Sequence, residues 1–414
     1  MLAFSYSWKT LRADLTAGLT TAVVALPLAI AFGVASGLGP EAGLYGAIAA
    51  GFFSAIVGGC PTLVTGPTGP MTVVLLAVLT PYSDKPGIGF LIVVLAGLIQ
   101  MLLAAGRAGN LLRFVPHEVV SGFMSGIGLI IVLLQIGPLL GHASPGRPLL
   151  ALLTLPSWLA DPFTPAIVLG LVTLAAIYFF PKRVTDWIPG PLLGVIVGTG
   201  VAIGFGLHVE TVGAIPRGLP TPHFPWPEAM TGLRLAEVLL SASILGLMGA
   251  LDSLITSLIA DEMTDSHQQP NRVLAGQGLG NLMAGLFGGV PCAGTTSCTV
   301  VNITSGARTR LAAASHALIL LVILIGFGPI VSRIPNAVLA AVLLQVGLSI
   351  MDWKTLLRLR EMPRHKSGTK VIVILLTVCV DLLTAVFVGI FLFHSYLFGR
   401  NRGWWRRLRK SHQS

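Results

Sequence analysis

Charge is scarce in this 414-residue chain: Asp, Glu, Lys and Arg together make up 10%, against 54% hydrophobic residues and a mean hydropathy of +0.85. Soluble globular chains carry about 25% charged residues, so the bulk of the molecule is not a water-soluble domain. Cysteine is sparse too. Cys60, Cys292, Cys298 and Cys379 lack metal-ligand spacing, which argues against a zinc module, and we read them as small packing residues. Signatures of catalysis are also missing. His117-Glu118 has no second histidine of a zinc protease, no Gly-x-Ser-x-Gly or phosphate-binding Gly-Lys-Ser/Thr loop occurs, and nothing calls for a cofactor. No cleavable signal is evident, because Lys9, Arg12 and Asp14 precede the first apolar run and no small-residue cleavage site follows it. The first span is expected to stay.

What the chain has instead is apolar length. About twenty residues cross a bilayer as helix, and the runs predict fourteen spans: 13–32, 40–58, 65–80, 88–106, 117–140, 163–181, 189–207, 235–260, 271–288, 295–306, 311–330, 335–350, 368–381 and 382–399. The formal charge of +10 does not point to nucleic acid, because the basic residues fall in short inter-span loops and in the 400–414 tail. With both termini cytosolic, 21 of the 26 Lys and Arg residues lie on the cytosolic side; only Lys85, Arg147, Arg217, Arg234 and Arg333 lie outside. That is the positive-inside bias of a multi-pass protein of the cell (inner) membrane. The longer links at 141–162 and 208–233 read as ordered connectors. Residues 352–366 read as a basic amphipathic helix on the cytosolic leaflet.

Two stretches break the apolar pattern, and they match. Gly58-Gly59-Cys60-Pro61 with Thr72-Val73-Val74 repeats the opening and close of Gly288-Gly289-Val290-Pro291 with Thr299-Val300-Val301. The third and tenth spans that follow are short and rich in Gly, Pro and Thr. Each predicts an extended segment leading into a half-helix. With seven spans before the 208–233 link and seven after it, the halves are inverted in the membrane, and paired interrupted spans in such repeats point to a transport site near the midplane.

The chemistry at the breaks suits an anion. A half-helix start exposes backbone N–H groups and roughly half a positive charge, and hydroxyls surround it: Thr65, Thr68 and Thr72 in one repeat, Thr295, Thr296, Ser297 and Thr299 in the other. Close packing of small residues is the competing reading, but the matched pair favours binding. Asp252 lies on the eighth span with Gly246, Gly249 and Thr256 on one face. A carboxylate at the centre of a span costs roughly 2.5–3.5 kcal/mol and usually marks an ion path. Asp252 is therefore a candidate to hold a cation with Thr256, to carry a proton, or to cap a broken helix. Glu41, in the first turn of the second span, suits capping and proton coupling alike.

Taken together, Pro27, Pro40-Glu41-Ala42-Gly43-Leu44-Tyr45, Gly66-Pro67-Thr68-Gly69-Pro70-Met71, Asn271 with Gln277-Gly278 and Asn281, and Thr299-Val300-Val301-Asn302 before Gly306-Ala307-Arg308-Thr309 resemble the sulfate-permease family of anion transporters. The resemblance implies an all-α polytopic fold of seven-plus-seven inverted repeats. Its core domain would comprise 1–112 and 234–332, moving against a gate domain of 113–233 and 333–399, with substrate between the third and tenth half-helices. Relatives that couple bicarbonate to sodium hold the cation with an Asp and a Thr one turn apart, which Asp252 and Thr256 match, and Gly294, Thr295 and Thr296 would complete the site. Most members continue into a cytosolic STAS domain after the last span, whereas this sequence stops at Ser414, which reads either as a domainless member or as a truncated piece of a longer protein; the family is commonly dimeric.

The expectation is a secondary active transporter for a small anion, such as fumarate or another dicarboxylate, sulfate or bicarbonate. It would be driven by H+ or Na+ through elevator-like alternating access. An anion exchanger or anion channel of the same fold is an alternative, as is a membrane receptor that moves nothing. A nucleobase–cation symporter is disfavoured, because Thr295 to Ser297 supply only hydroxyls where a base needs a carboxylate or amide.

Overall fold

The computed structural model describes residues 7–80, 86–109, 117–144, 147–181, 190–212, 222, 232–380, 384–385, 388–389 and 391–393. Thirteen of the fourteen expected spans coincide with a helix or a strand-plus-helix unit. The last, 382–399, falls mostly outside the described residues, as do Asp381 and the 400–414 tail.

α1 (Trp8–Ala35) starts at Ser7, whose hydroxyl accepts the Thr10 N–H at 3.2 Å, and carries Pro27 inside it. α2 (Pro40–Val57) begins on a proline, whose missing N–H costs nothing in the first turn. The third span is split, as expected, into strand β1 (Thr65–Pro67) and half-helix α3 (Gly69–Leu79). α4 (Pro86–Ala105), α5 (His117–Leu139), α7 (Thr164–Phe179), α8 (Gly190–Gly204), α9 (Gly232–Thr264) and α10 (Pro270–Leu286) are continuous. The tenth span holds the half-helix α11 (Thr296–Thr304), its strand β2 (Cys292–Gly294) lying just before the expected 295–306, and is followed by α12 (Arg310–Val331), α13 (Asn336–Ile350) and α15 (Arg364–Cys379).

Two links differ from expectation. Residues 141–162 contain a helix, α6 (Pro148–Ala160), that meets α7 at 114°. Trp158 pins α6 to the chain by stacking on His142, while Leu152 and Leu153 on the same helix are exposed. The 352–366 segment is not one amphipathic helix. The short α14 (Trp353–Leu357) forms there, with Asp352 accepting the Thr355 N–H at 3.2 Å, and Pro363 separates it from α15, which takes up the segment's last residues from Arg364.

The helices pack in two groups. α4 and α2 grip α10, α12 covers α1 and α2, and α9 lies on α4 and α3; separately, α13 and α15 pack on α5, and α7 packs on α8 and α13. Where α4 crosses α10 the backbones touch: a Cβ on Gly97 would stand 2.4 Å from Leu282 N, so only glycine allows that approach. The groups meet where Gly69 at the start of α3 abuts Ile131 and where α1 lies against α13. Side chains on the outside, including Leu240, Val322 and Leu375, are large, aliphatic and exposed, which suits acyl chains.

Candidate functional site

β1 and β2 pair antiparallel, with Thr65 opposite Gly294, Gly66 opposite Ala293 and Pro67 opposite Cys292. This two-stranded ribbon joins the repeats at the centre of the molecule. Its backbone polar groups lie deep in an apolar bundle, where an unpaired N–H or C=O is costly. Side chains from neighbouring helices complete the pairing. Asn281 on α10 bonds both the N–H and C=O of Cys292, at 2.7 and 2.8 Å, and donates to Gln100 on α4 at 2.9 Å. Ser253 on α9 accepts the Gly294 N–H at 3.0 Å, and Gln277 on α10 donates to Thr65 at 2.7 Å. Thr299 and Asn302 on α11 hold Val64 N–H and Thr62 C=O at 3.1 and 3.0 Å.

Beyond the ribbon each strand turns into its half-helix. The first intrahelical bonds are Thr72 N–H to Thr68 O and Thr299 N–H to Thr295 O, both 2.9 Å. Neither cap residue uses its side chain on its helix. The N–H groups of Thr296, Ser297 and Cys298 therefore precede the first intrahelical bond of α11, and those of Gly69 and Met71 do so for α3, where Pro70 has none to offer.

The structure brings most of the sequence-designated residues together here, in unequal roles. Thr65 is buried in β1, and Thr68 caps α3. Thr295 is committed to scaffolding: its N–H and its hydroxyl both bond Val64 O, at 2.8 and 3.0 Å. Thr296 and Ser297 are exposed at the open end of α11. Thr256, fully buried, donates to Gly294 O at 2.9 Å and lies 2.9 Å from the Thr296 hydroxyl. Because the Thr256 hydroxyl has a single proton, Thr296 is the donor between the two.

Asp252 is one turn before Thr256 on α9, only 8% exposed, and its Oδ2 has no hydrogen-bond partner. The Thr68 hydroxyl faces this carboxyl without full hydrogen-bond geometry. One repeat's half-helix cap thus meets the other repeat's acid. Among the described residues no three His, Cys, Asp or Glu side chains gather to hold a metal; the oxygens at Asp252, Thr256, Gly294 and Thr296 are one carboxylate and three neutral groups. Glu41 is not brought to this cluster. It sits in the first turn of α2 beside Gly39, roughly 15 Å along the helix from Gly51, which touches Thr65.

Sequence reading missed Ser253 and Gln100 as ribbon supports. Gln277 and Asn281 carried a signal, two amides four residues apart inside an apolar span, but their partners are far away in sequence.

A buried polar crossover between two inverted half-helix repeats, inside a bundle with aliphatic outer faces, defines a multi-pass membrane transporter. Comparison with known proteins identifies which kind: residues 11–375 match the sulfate permease family, and the chain belongs to it. It is an anion transporter of that family, with the fourteen-span inverted-repeat fold of the family's membrane domain. It is 42% identical over 397 residues to the bicarbonate transporter BicA of Picosynechococcus, covering 93% of this chain and 69% of that protein. It is 30% identical to the putative sulfate transporter YvdB of Bacillus subtilis, covering 94% and 73%. The solved transmembrane domain of a cyanobacterial BicA superposes with a TM-score of 0.86 at 40% identity, covering 92% of this chain and 98% of that one. SLC26A9 shares the fold, with a TM-score of 0.82 at 18% identity, 95% of this chain and 66% of that one.

Proposed function

We propose that the protein is a secondary active symporter that moves bicarbonate, or a comparably small anion such as sulfate or a dicarboxylate, together with Na+ or H+. The observation that carries this reading is the Asp252 carboxylate, buried with one oxygen unpartnered beside the Thr68 cap of α3 and the Thr256–Gly294–Thr296 group at the start of α11. Bicarbonate comes first because the chain is 42% identical to named bicarbonate transporters from two cyanobacteria.

The coupling follows from charge. An anion at the two half-helix ends is stabilised by backbone N–H groups and by the partial positive charge there. A cation at Asp252, held by its carboxylate with Thr256, Thr296 and the free lone pair of Gly294 O, cancels the acid; a proton on Asp252 does the same. A core loaded with both is close to neutral, whereas one loaded with a single partner carries an uncompensated charge into a low-dielectric barrier. The helix group α1–α4 and α9–α12 would carry the site as the core, sliding against α5–α8 and α13–α15 as the gate. The packing of these two groups supports that division. Cytosolic termini in the cell (inner) membrane fit the Lys and Arg asymmetry.

The test is uptake of labelled bicarbonate, sulfate and fumarate into proteoliposomes under separately imposed Na+ and H+ gradients. Accumulation of one anion driven by one of these gradients is expected. Movement only down the anion's own gradient, or only against a counter-anion, would replace symport with channel or exchange.

A further inference from the structure

His316, on α12, is 1% exposed, and neither ring nitrogen has a hydrogen-bond partner. The Ala313 carbonyl is near one nitrogen but lacks hydrogen-bond geometry. An imidazole always presents at least one donor, and when neutral also an acceptor. Leaving both unsatisfied in an apolar interior costs about 1–3 kcal/mol per group, so buried polar groups of this kind normally have a partner.

The ring borders a small internal space on the face of the ribbon that α1 and α2 cover. Its polar lining is His316 with Thr65 and Thr295 of the crossover; the rest is apolar side chain and backbone, including Leu28 of α1 and Ala47 of α2. Its volume open to the centre of a water molecule is about 10 Å³, close to the minimum that one water needs. Most of the lining is apolar, so a water there depends on the His316 ring nitrogens and the Thr65 and Thr295 hydroxyls, which supply the roughly two to four polar partners that a buried water needs.

The crossover hydroxyls have complementary capacity left over. Thr65 accepts from Gln277, so its proton is available to donate; Thr295 gives its proton to Val64 O, so its lone pairs are available to accept. One water could accept from Thr65, donate to Thr295, and join a ring nitrogen of His316.

We propose that this cavity is a single-water site anchored by His316, and that His316 through this water is a positioning residue for the anion site. The water fixes strand β1 at Thr65–Pro67 and the α11 cap at Thr295, which lead into α3 and α11 and aim their N–H groups. The positioning role rests on the transport reading above; the water site rests on the cavity alone.

The experiment joins a structure of the purified protein at water-resolving resolution to uptake kinetics of labelled bicarbonate in proteoliposomes. The map is expected to contain one water within about 3.2 Å of a His316 nitrogen. H316F, which keeps a ring of similar size without nitrogens, should raise the half-saturating bicarbonate concentration roughly five- to tenfold while leaving the maximal rate within about twofold. H316Q, which restores a donor and an acceptor, should recover most of the affinity. A47V, which fills the cavity with His316 intact, should reproduce the H316F shift and decides the matter if H316F does not fold. A dry cavity overturns the proposal. So does an unchanged half-saturation in H316F or A47V, or a failure of H316Q to improve on H316F. If the unsubstituted protein accumulates no anion, the transport reading fails instead, and the map alone decides the water site.

Discussion

The Thr256 hydroxyl donates to Gly294 O at 2.9 Å and receives the Thr296 hydroxyl at 2.9 Å, so one side chain of α9 ties the end of β2 to the first turn of α11. Asp252 lies one helical turn away on the same helix. A cation site built from these oxygens would be assembled by the same contacts that set the direction of the half-helix.

Replacing Asp252 by Asn keeps the volume and removes the charge. Gradient-driven uptake in proteoliposomes should fall at least tenfold, since interactions with a charged group are worth about 1.5–3 kcal/mol. The melting temperature should stay the same or rise, because a buried unpaired carboxylate is costly. Undiminished cation-driven uptake by the Asn variant would remove Asp252 from the coupling step.

Thr256→Val leaves Gly294 O without its donor and Thr296 without its acceptor. The expected loss is about 1–3 kcal/mol of stability, with a weaker apparent affinity for the coupling ion. Thr256→Ser should retain both properties. Melting curves and ion titrations of uptake, measured on the two variants side by side, check this.

A Cβ at Gly294 would stand 3.0 Å from Leu63 Cδ1, 3.1 Å from Ser253 Cα and 3.3 Å from Thr256 Cβ. The Leu63 methyl can yield, but the α9 contacts cannot without moving the helix. Gly294→Ala should therefore cost about 1–3 kcal/mol and impair uptake. Gly66→Ala, whose Cβ would meet only Thr295 Oγ1 at 3.7 Å, should be tolerated. Equal effects of the two substitutions would contradict this packing.

Asp352, in the link between α13 and α14, receives the Ser121 hydroxyl, the Thr355 N–H at 3.2 Å and the Lys370 ammonium at 3.3 Å. Burial alone would raise its pKa, but these hydrogen bonds outweigh burial and hold the carboxyl well below the usual range. A depressed folded-state pKa adds stability above the unfolded value of about 3.9, and that stability fades as pH falls through the folded value. Asp352→Asn also strands the buried Lys370, so at pH 7 it should cost about 3 kcal/mol. The gap in melting temperature between the two proteins should narrow steadily as pH is lowered below about 4.

The paired breaks were legible because Gly-Gly-x-Pro and a cluster of Thr stand out locally in an apolar chain, and Asp252 was legible because charge is rare there. Thr295 looked like a ligand by type, yet the fold commits its hydroxyl to Val64 O. The Asp352–Lys370 pair left no signal, since Asp352 caps α14 while Lys370 lies 18 residues on, inside α15. α6 was hidden because Pro148 and Pro156 read as a connector, although a proline in the first turn starts a helix readily.

By itself the sequence determined the membrane class, nearly all the spans, and the two places where helices had to break, because hydropathy, glycine and proline act within a few residues. The tertiary structure decided the ribbon register of Thr65 on Gly294, the amides that satisfy it, and the meeting of Thr68 with Asp252. Those contacts join segments far apart in the chain, and the buried polar groups of the ribbon find their partners only when the whole bundle closes around them.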